Sequence, residues 1–300
     1  MTDYIKALNT DGVNEYVDCG HIAIADNLSV VGWINCGSQS VDQVIFLNGA
    51  NISSDLGWFV SINNIDARRL RFWVSSDGTA TATTMKYYRS PGSDLPVSGQ
   101  AQVAFTWATG VLKIFVNGAE LVPTKVWDPA FTTIFGAVGN CNIGGRAGVT
   151  VMWGNQVCNV SIWDTGVLTP ADIATLYNGG LNMDSADLVP AGAASLRNSW
   201  LWNRTLPLVP GVNDVPDNTG ANPGTTQNME AGDVVNSPWP GGPWAEVTRT
   251  FIHNRATRIS DGARTTWASS NGADPAMAYH PDVVYPADYE DFVVIGGSYS

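Results

Sequence analysis

Between Gln102 and Gly118, large apolar residues recur at every second position: Val103, Phe105 and Trp107 fall on one side, Ala104 and Thr106 on the other. A two-residue period predicts a β-strand. Ala108 to Gly110 supplies a short connection with a glycine able to take positive φ. Leu112, Ile114 and Val116 then alternate with Lys113 and Phe115, and Asn117-Gly118 makes a second turn. The pair predicts a hairpin with one strongly apolar face, which a second sheet must cover.

Similar short runs recur along the chain. Residues 14–20 and Ser29 to Cys36 read as strands; in the second, Val31 and Trp33 face one way and Val30 and Ile34 the other, so both sides are covered. Gln43 to Leu47 is a strand ending at an Asn48-Gly49 turn. Gly57 to Ile62 and Leu70 to Ser75 form the next hairpin, with Arg68 and Arg69 before its second strand, and the polar run Thr79 to Lys86 suits an edge strand. Gly139 to Gly145, Val149 to Trp153 and Val157 to Trp163 complete a spacing typical of an all-β sandwich or jelly roll.

One helix interrupts the pattern. Thr169 caps it, Pro170 suits its first turn, Asp172 complements its dipole, and Ile173, Leu176 and Tyr177 share a face before Gly179-Gly180 ends it. Two turns are too short to stand alone, so the helix lies on the sandwich. Beyond it, Asn198 to Trp202 is a short strand, and residues 212–237 have the Asn, Gly, Pro and Asp content of turns and loops. Residues 244–300 contain a strand at Glu246 to His253 and another at Phe292 to Ile295. Their apolar content is low for a separate core, which predicts an extended arm packed on the sandwich or on a neighbouring subunit.

The Phe105-Thr-Trp107 hairpin with Leu112-Lys-Ile-Phe-Val-Asn-Gly118, Tyr16-Val-Asp18, Asn142-Ile-Gly-Gly-Arg146, Asn159-Val-Ser-Ile-Trp163 and Leu168 to Tyr177 occur in a fixed order. Together they resemble the concanavalin A-like, laminin-G-like jelly rolls over about residues 14–180. That resemblance implies an all-β jelly-roll sandwich in residues 1–180, a loop-rich return segment in 181–243 and an extension in 244–300. The run Trp200 through Asp214, Asp217 and Gly220 to Asn228 is similar to a segment that accompanies these jelly rolls, and in proteins of tailed bacteriophages it often trails the domain as here.

Composition narrows the partners. The chain has 300 residues, only 14% of them charged, with 12 Trp and a formal net charge of −12. That balance argues against nucleic acid and anionic membrane surfaces, and no stretch is long and apolar enough to span a bilayer. The start Met-Thr-Asp-Tyr-Ile-Lys-Ala-Leu lacks the charged-then-apolar order of a secretory signal, so the expectation is either a trimmed start or a route outside the secretory pathway, as for a virus particle released by lysis. Cys19, Cys36, Cys141 and Cys158 fall in two pairs at equal spacing, consistent with disulfides or with small buried thiols from a reducing cytoplasm. Their spacing matches no zinc pattern.

Candidate chemistry is sparse. Laminarinase-like relatives carry Glu-x-Asp-x-x-Glu on one strand, with two glutamates about 5–5.5 Å apart for retaining hydrolysis. Glu15, Glu120, Glu230, Glu246 and Glu290 include no such run, and Glu15 with Asp18 and Glu290 with Asp291 are the tight acidic sets. His21, His253 and His280 lack a Gly-x-Ser-x-Gly elbow nearby. No catalytic residue is assigned. Related jelly rolls often hold calcium, and Asp214 with Asp217, or Asp42 with Asp55, are the candidates here; aspartates in turns also cap backbone. For glycan binding, Trp58, Trp127, Trp153 and Asn155 lie at or beside expected loops, whereas Trp33, Trp107 and Trp163 alternate into the core. Arg249, Arg255, Arg258 and Arg264 are expected to serve an assembly interface, where their forks meet carboxylates.

The expectation is a non-enzymatic virion protein of a tailed bacteriophage, in the capsid decoration or the fibre or tail, made in the host cytoplasm. Its partners would be other copies of itself, virion proteins such as the major capsid protein, and a host-surface glycan. The alternative is a free lectin, with or without calcium; a hydrolase stands third.

Overall fold

The computed structural model describes residues 6–23, 26–36, 43–51, 53–63, 69–92, 95–96, 99–145, 152–180, 184–200, 215–236, 249–258, 264–269 and 289–299. The chain divides into two compact units, Asp3–Pro243 and Trp244–Ser300.

In the larger unit the strands are β1 (Lys6–Asn9), β2 (Tyr16–Asp18), β3 (Asn27–Asn35), β4 (Gln43–Asn51) and β5 (Asp55–Asn63). Next come β6 (Arg69–Gly78), β7 (Met85–Arg89), β8 (Gln100–Ala108), β9 (Val111–Val116), β10 (Ala119–Leu121) and β11 (Thr124–Trp127). They are followed by β12 (Cys141–Ile143), β13 (Gln156–Asp164), α1 (Pro170–Tyr177), β14 (Ser195–Trp200), β15 (Thr225–Gln227) and β16 (Val234–Asn236). One sheet runs β10-β9-β8-β3-β13-β1-β16, with β14 also on β13; the other runs β11-β7-β6-β5-β4-β12-β2-β15. Among the described residues all the pairings between named strands are antiparallel, and the return segment adds β14, β15 and β16 to the two sheets.

The organising hairpin is β8–β9, in register from Val103 opposite Val116 to Ala108 opposite Val111. Its turns use positive φ at Thr109, Gly110, Asn117 and Gly118, which suits the twist of two-residue hairpins. Between the sheets lie Phe46, Trp58, Val60, Phe72, Phe105, Trp107, Ile114 and Trp153. Trp33, Trp58, Trp107, Trp153, Trp163 and Trp200 are each 2% exposed or less. At about 25 cal/mol per Å² and about 200 Å² per ring, each contributes on the order of 5 kcal/mol relative to exposure.

The outer face of the first sheet is covered. Val31, Ala104, Phe115 and Trp163 meet Leu168, Ile173, Leu176, Leu188 and Ala194 in a second cluster, and Tyr177 stacks on Trp33 at 5.7 Å. A reciprocal box holds the helix start: Thr169 Oγ1 accepts from the Asp172 amide, and the Asp172 carboxylate accepts from the Thr169 amide. Burial pushes the Asp172 carboxyl up, but these bonds and the Ala191 amide outweigh it and hold it below the ordinary range. The helix ends one residue before the expected glycines, at Asn178 in the left-handed region.

Two local expectations are corrected. Asn48-Gly49 is a bulge inside β4, where a Cβ on Gly49 would lie 2.0 Å from the Asp55 carbonyl oxygen and φ is +129°. Thr79 to Thr84 is a turn, because its hydroxyls bond locally: Thr79 to Asp77, and Thr81 to Thr84. The strand there is β7, and it lies inside the sheet between β6 and β11. The expected strand Val149 to Trp153 falls mostly outside the described residues; Met152 bridges Val44.

All four cysteines are buried thiols outside any disulfide. Cys19 and Cys141 are neighbours, the Cys19 amide donating to the Cys141 carbonyl at 2.9 Å. Burial pushes the Cys19 thiol well up and the Cys141 thiol to about 12, as expected of inert core thiols.

The smaller unit is a three-stranded antiparallel sheet with β17 (Arg249–Arg258) between β18 (Arg264–Ser269) and β19 (Tyr289–Tyr299). Arg249, Arg255 and Arg258 lie on β17 and Arg264 opens β18, opposite Thr257. His280 and the aspartates Asp261, Asp274, Asp282 and Asp288 fall outside the described residues.

Candidate functional site

The sequence candidates do not converge. Trp58 is 1% exposed and packs on Phe105 at 5.3 Å, while Trp153 is fully buried and its indole donates to the Gln156 carbonyl. Neither ring offers a face to a sugar, which corrects their assignment: both point between the sheets. Asn155 is half-buried, and its carbonyl accepts from Thr10. Trp127 lies on β11, four strands from β4 in its sheet, a span of about 19 Å at the usual ~4.8 Å spacing.

Trp127 does have aromatic company. Phe59, Trp73 and Tyr87 sit opposite one another across β5, β6 and β7, and Tyr87 is opposite Trp127 on β11. The row follows from outward positions on strands whose alternate residues (Trp58 and Val60, Phe72 and Val74) fill the core. Phe59 stacks on Trp73 at 5.0 Å and 12°, and Trp73 on Tyr87 at 3.7 Å and 2°. Trp127 crosses both at 76°, with centroids 5.8 and 5.7 Å away. Of these four rings, Trp127 is the one not stacked face to face on another of the row. Buried Leu47, Leu56, Val44 and Met85 join the same cluster.

A bulge in β11 sets what lies next to it. The register shifts between Lys125, opposite Tyr88, and Trp127, opposite Tyr87. Residues two apart normally share a face; the extra residue, exposed Val126, sends Lys125 and Trp127 to opposite ones. Lys125 and the following Asp128 therefore meet β7 side chains on the other side of the sheet edge. Asp128 accepts from Lys86 at 2.6 Å, from Lys125 at 2.8 Å and from the Tyr88 hydroxyl. Lys86 also lies 5.4 Å from the centre of the Phe131 ring.

Burial pushes the Asp128 carboxyl up, but the bonds from Lys125, Lys86 and Tyr88 outweigh it and hold it well below the ordinary carboxylate range. Tyr88 is pushed up to about 12, first by burial and then by its bond to Asp128, so it stays a donor. The group borders an open cleft of about 260 Å³, lined also by Val111, Lys113, Glu120, Leu121 and Pro123, between the edges of the two sheets. An ionised carboxylate here accepts hydrogen bonds from hydroxyls; it is a poor general acid at neutral pH.

The remaining acidic candidates hold the fold together. Asp55 accepts from the amides of Ala50, Val138 and Gly139. Asp217 accepts from the amides of Ser199, Thr219 and Asn222 and from the Asn198 side chain, tying its own loop to β14 within the return segment. Both are thus occupied by backbone donors, as aspartates in turns commonly are. Asp42 and Asp214 lie outside the described residues. Among the described residues, no three His, Cys, Asp or Glu groups are placed to hold a metal ion. Glu15 accepts from the Asp11 amide and shares a hydrogen bond with Asp233. Burial first, then the charges of Asp233 and Asp11, push its carboxyl up to about 7 against the pull of that amide.

No curated protein sequence matches the chain. Among solved structures, a putative carbohydrate binding protein from Bacteroides ovatus is similar at 16% identity and a TM-score of 0.51, covering 80% of this chain and 62% of that one. A heptameric SAP-like pentraxin from Limulus polyphemus shares 14% identity over 66% of this chain and 93% of its own, with a TM-score of 0.46. The CBM40 of a Ruminococcus gnavus IT-sialidase, solved with α2,3-sialyllactose, shares 16% over 57% and 96%, also at 0.46. The sequence model of the concanavalin A-like lectin/glucanases superfamily matches residues 11–174, more than half of the chain. With the two packed antiparallel sheets and the single capped helix, this match places the chain in the concanavalin A-like lectin/glucanase superfamily, as a laminin-G-like jelly roll.

Proposed function

We propose that the protein is a non-enzymatic carbohydrate-binding jelly roll, displayed on the virion of a tailed bacteriophage. The observation that carries the binding half is Trp127 beside Asp128 at the β7–β11 edge. An aromatic ring not stacked face to face on its neighbours ends the outer row on β11, and the next residue, the ionised Asp128, borders the cleft on the other side of the same strand edge. Sugars present C–H faces and hydroxyls, which this pairing suits. The Bacteroides ovatus neighbour, described as a putative carbohydrate binding protein, is consistent with it. The absence of Glu-x-Asp-x-x-Glu and the depressed Asp128 support a non-catalytic role.

A glycan array probed with the pure chain and with Trp127→Ala tests this reading, with a chelator arm to report any calcium dependence. Selective, saturable binding that weakens about tenfold in the variant is expected. Equal binding by both moves the site elsewhere, no binding at all removes the lectin reading, and release of reducing sugar restores a hydrolase.

The virion half rests on the return segment that trails the jelly roll, built around Asp217, and on its resemblance to segments of phage proteins. The second unit, Trp244–Ser300, is proposed as the assembly element, through Arg249, Arg255, Arg258 and Arg264. Light scattering on the full chain should give a trimer or larger; a monomer would leave a free lectin as the better reading.

A further inference from the structure

The chain has four lysines, and three of them, Lys86, Lys113 and Lys125, line the one cleft beside Asp128. This concentration stands out in a protein of formal charge −12. Within the cleft, Lys86 and Lys125 share the single Asp128 carboxylate, and Lys113 pairs with Glu120 at 3.0 Å. Three ammonium groups against two carboxylates leave an excess positive charge. Lys86 is the most telling of them, because its side chain is only 7% exposed. An ammonium carries three N–H donors, and Asp128 occupies one on Lys86 and one on Lys125. Burying such a group is costly unless its charge and donors are answered. The Lys113–Glu120 pair, about 40% exposed on both sides, is weak enough to exchange for a ligand anion.

We infer that this cleft takes the anionic group of an acidic glycan, a carboxylate or sulfate, with Lys113 and Lys125 as its direct partners and Lys86 supplying charge from beneath. The inference rests on the carbohydrate-binding reading and names the substrate class of that same site. The cleft is smaller than the about 300–1,000 Å³ of a drug-sized pocket, which suits a single charged sugar residue with the rest of the chain outside. Leu112, Leu121 and Pro123 give that residue an apolar wall.

The test compares uronic-acid oligosaccharides with the same oligosaccharides after carboxyl reduction, and sulfated with desulfated forms, by calorimetry on the full chain. At least a tenfold loss of affinity on removing the anion is expected for one of the two pairs, which also identifies the anion's source. The exposed Lys113→Gln should lose several-fold more affinity toward the anionic form than toward the neutral one, and rising salt should weaken the anionic binding more. Equal affinity for charged and neutral forms would overturn the inference and leave carbohydrate binding intact. No binding to any member would overturn both. Because Lys113 is exposed and its substitution leaves Asp128 and Lys86 paired, the variant should fold, and its unfolding midpoint confirms this.

Discussion

The two sheets treat their outer faces differently. On the first, Val31, Phe115 and Trp163 lie under α1 and the segment carrying Leu188 and Ala194, a second core complete in itself. On the other, Phe59, Trp73, Tyr87 and Trp127 form a row, and among the described residues their cluster draws only on strands of that sheet. The aromatic rings there are partly satisfied by stacking on one another. A covered face makes stability; a self-stacked row leaves its last ring, Trp127, able to serve a ligand. Placing Trp127 at the bulge also puts the Lys86–Asp128–Lys125 group at the same sheet edge.

Substitutions on the two faces should therefore separate stability from binding. Trp163→Ala, under the helix, should cost about 3–5 kcal/mol in a denaturant titration, with affinity unchanged in the fraction that remains folded. Asp128→Asn comes next. It leaves Lys86 without its carboxylate, for a loss of about 2–3 kcal/mol, below the full buried-pair penalty because Asp128 is 32% exposed. Its own pH signature has a definite sign. The depressed carboxyl contributes stability above the ordinary aspartate range that is lost as pH falls through its lower folded value. Trp127→Ala, at the partly buried end of the row, should cost about 1 kcal/mol of stability yet lower glycan affinity about tenfold. A loss for Trp127→Ala as large as that for Trp163→Ala would erase the distinction between the faces.

The smallest effect concerns Glu15, which belongs to neither face and serves as a control. Its folded carboxyl is raised from 4.5 to about 7, so its contribution is fully present below the unfolded value and lost as pH rises through about 7. Denaturation midpoints should fall modestly between pH 5 and 8, and Glu15→Gln should flatten that slope without touching affinity. A steeper slope in the variant would contradict the assignment.

How much of this was legible from residues depends on how local each feature is. The β8–β9 hairpin and the Thr169–Pro170–Asp172 helix start are written in adjacent residues, and Trp33, Trp107 and Trp163 alternate plainly into buried positions. Trp58 stands at the loop end of its expected strand, although its alternation with Val60 and Ile62 carries the signal that it points inward. The Asp128 group was not legible at all. Lys86 and Asp128 are 42 residues apart and meet only because a four-residue strand after Pro123 pairs with β7 through a bulge. Asp55 and Asp217 were read as metal candidates because sequence shows a carboxylate and not the amides aimed at it.

The most direct test of the central claim is chemical-shift mapping of the full chain with the best array glycan. Shifts are expected to concentrate on Lys86, Tyr88, Lys113, Lys125, Trp127 and Asp128, and in Trp127→Ala to need about tenfold more glycan to reach the same extent. Shifts centred on any other surface, with these six residues unmoved, would contradict it.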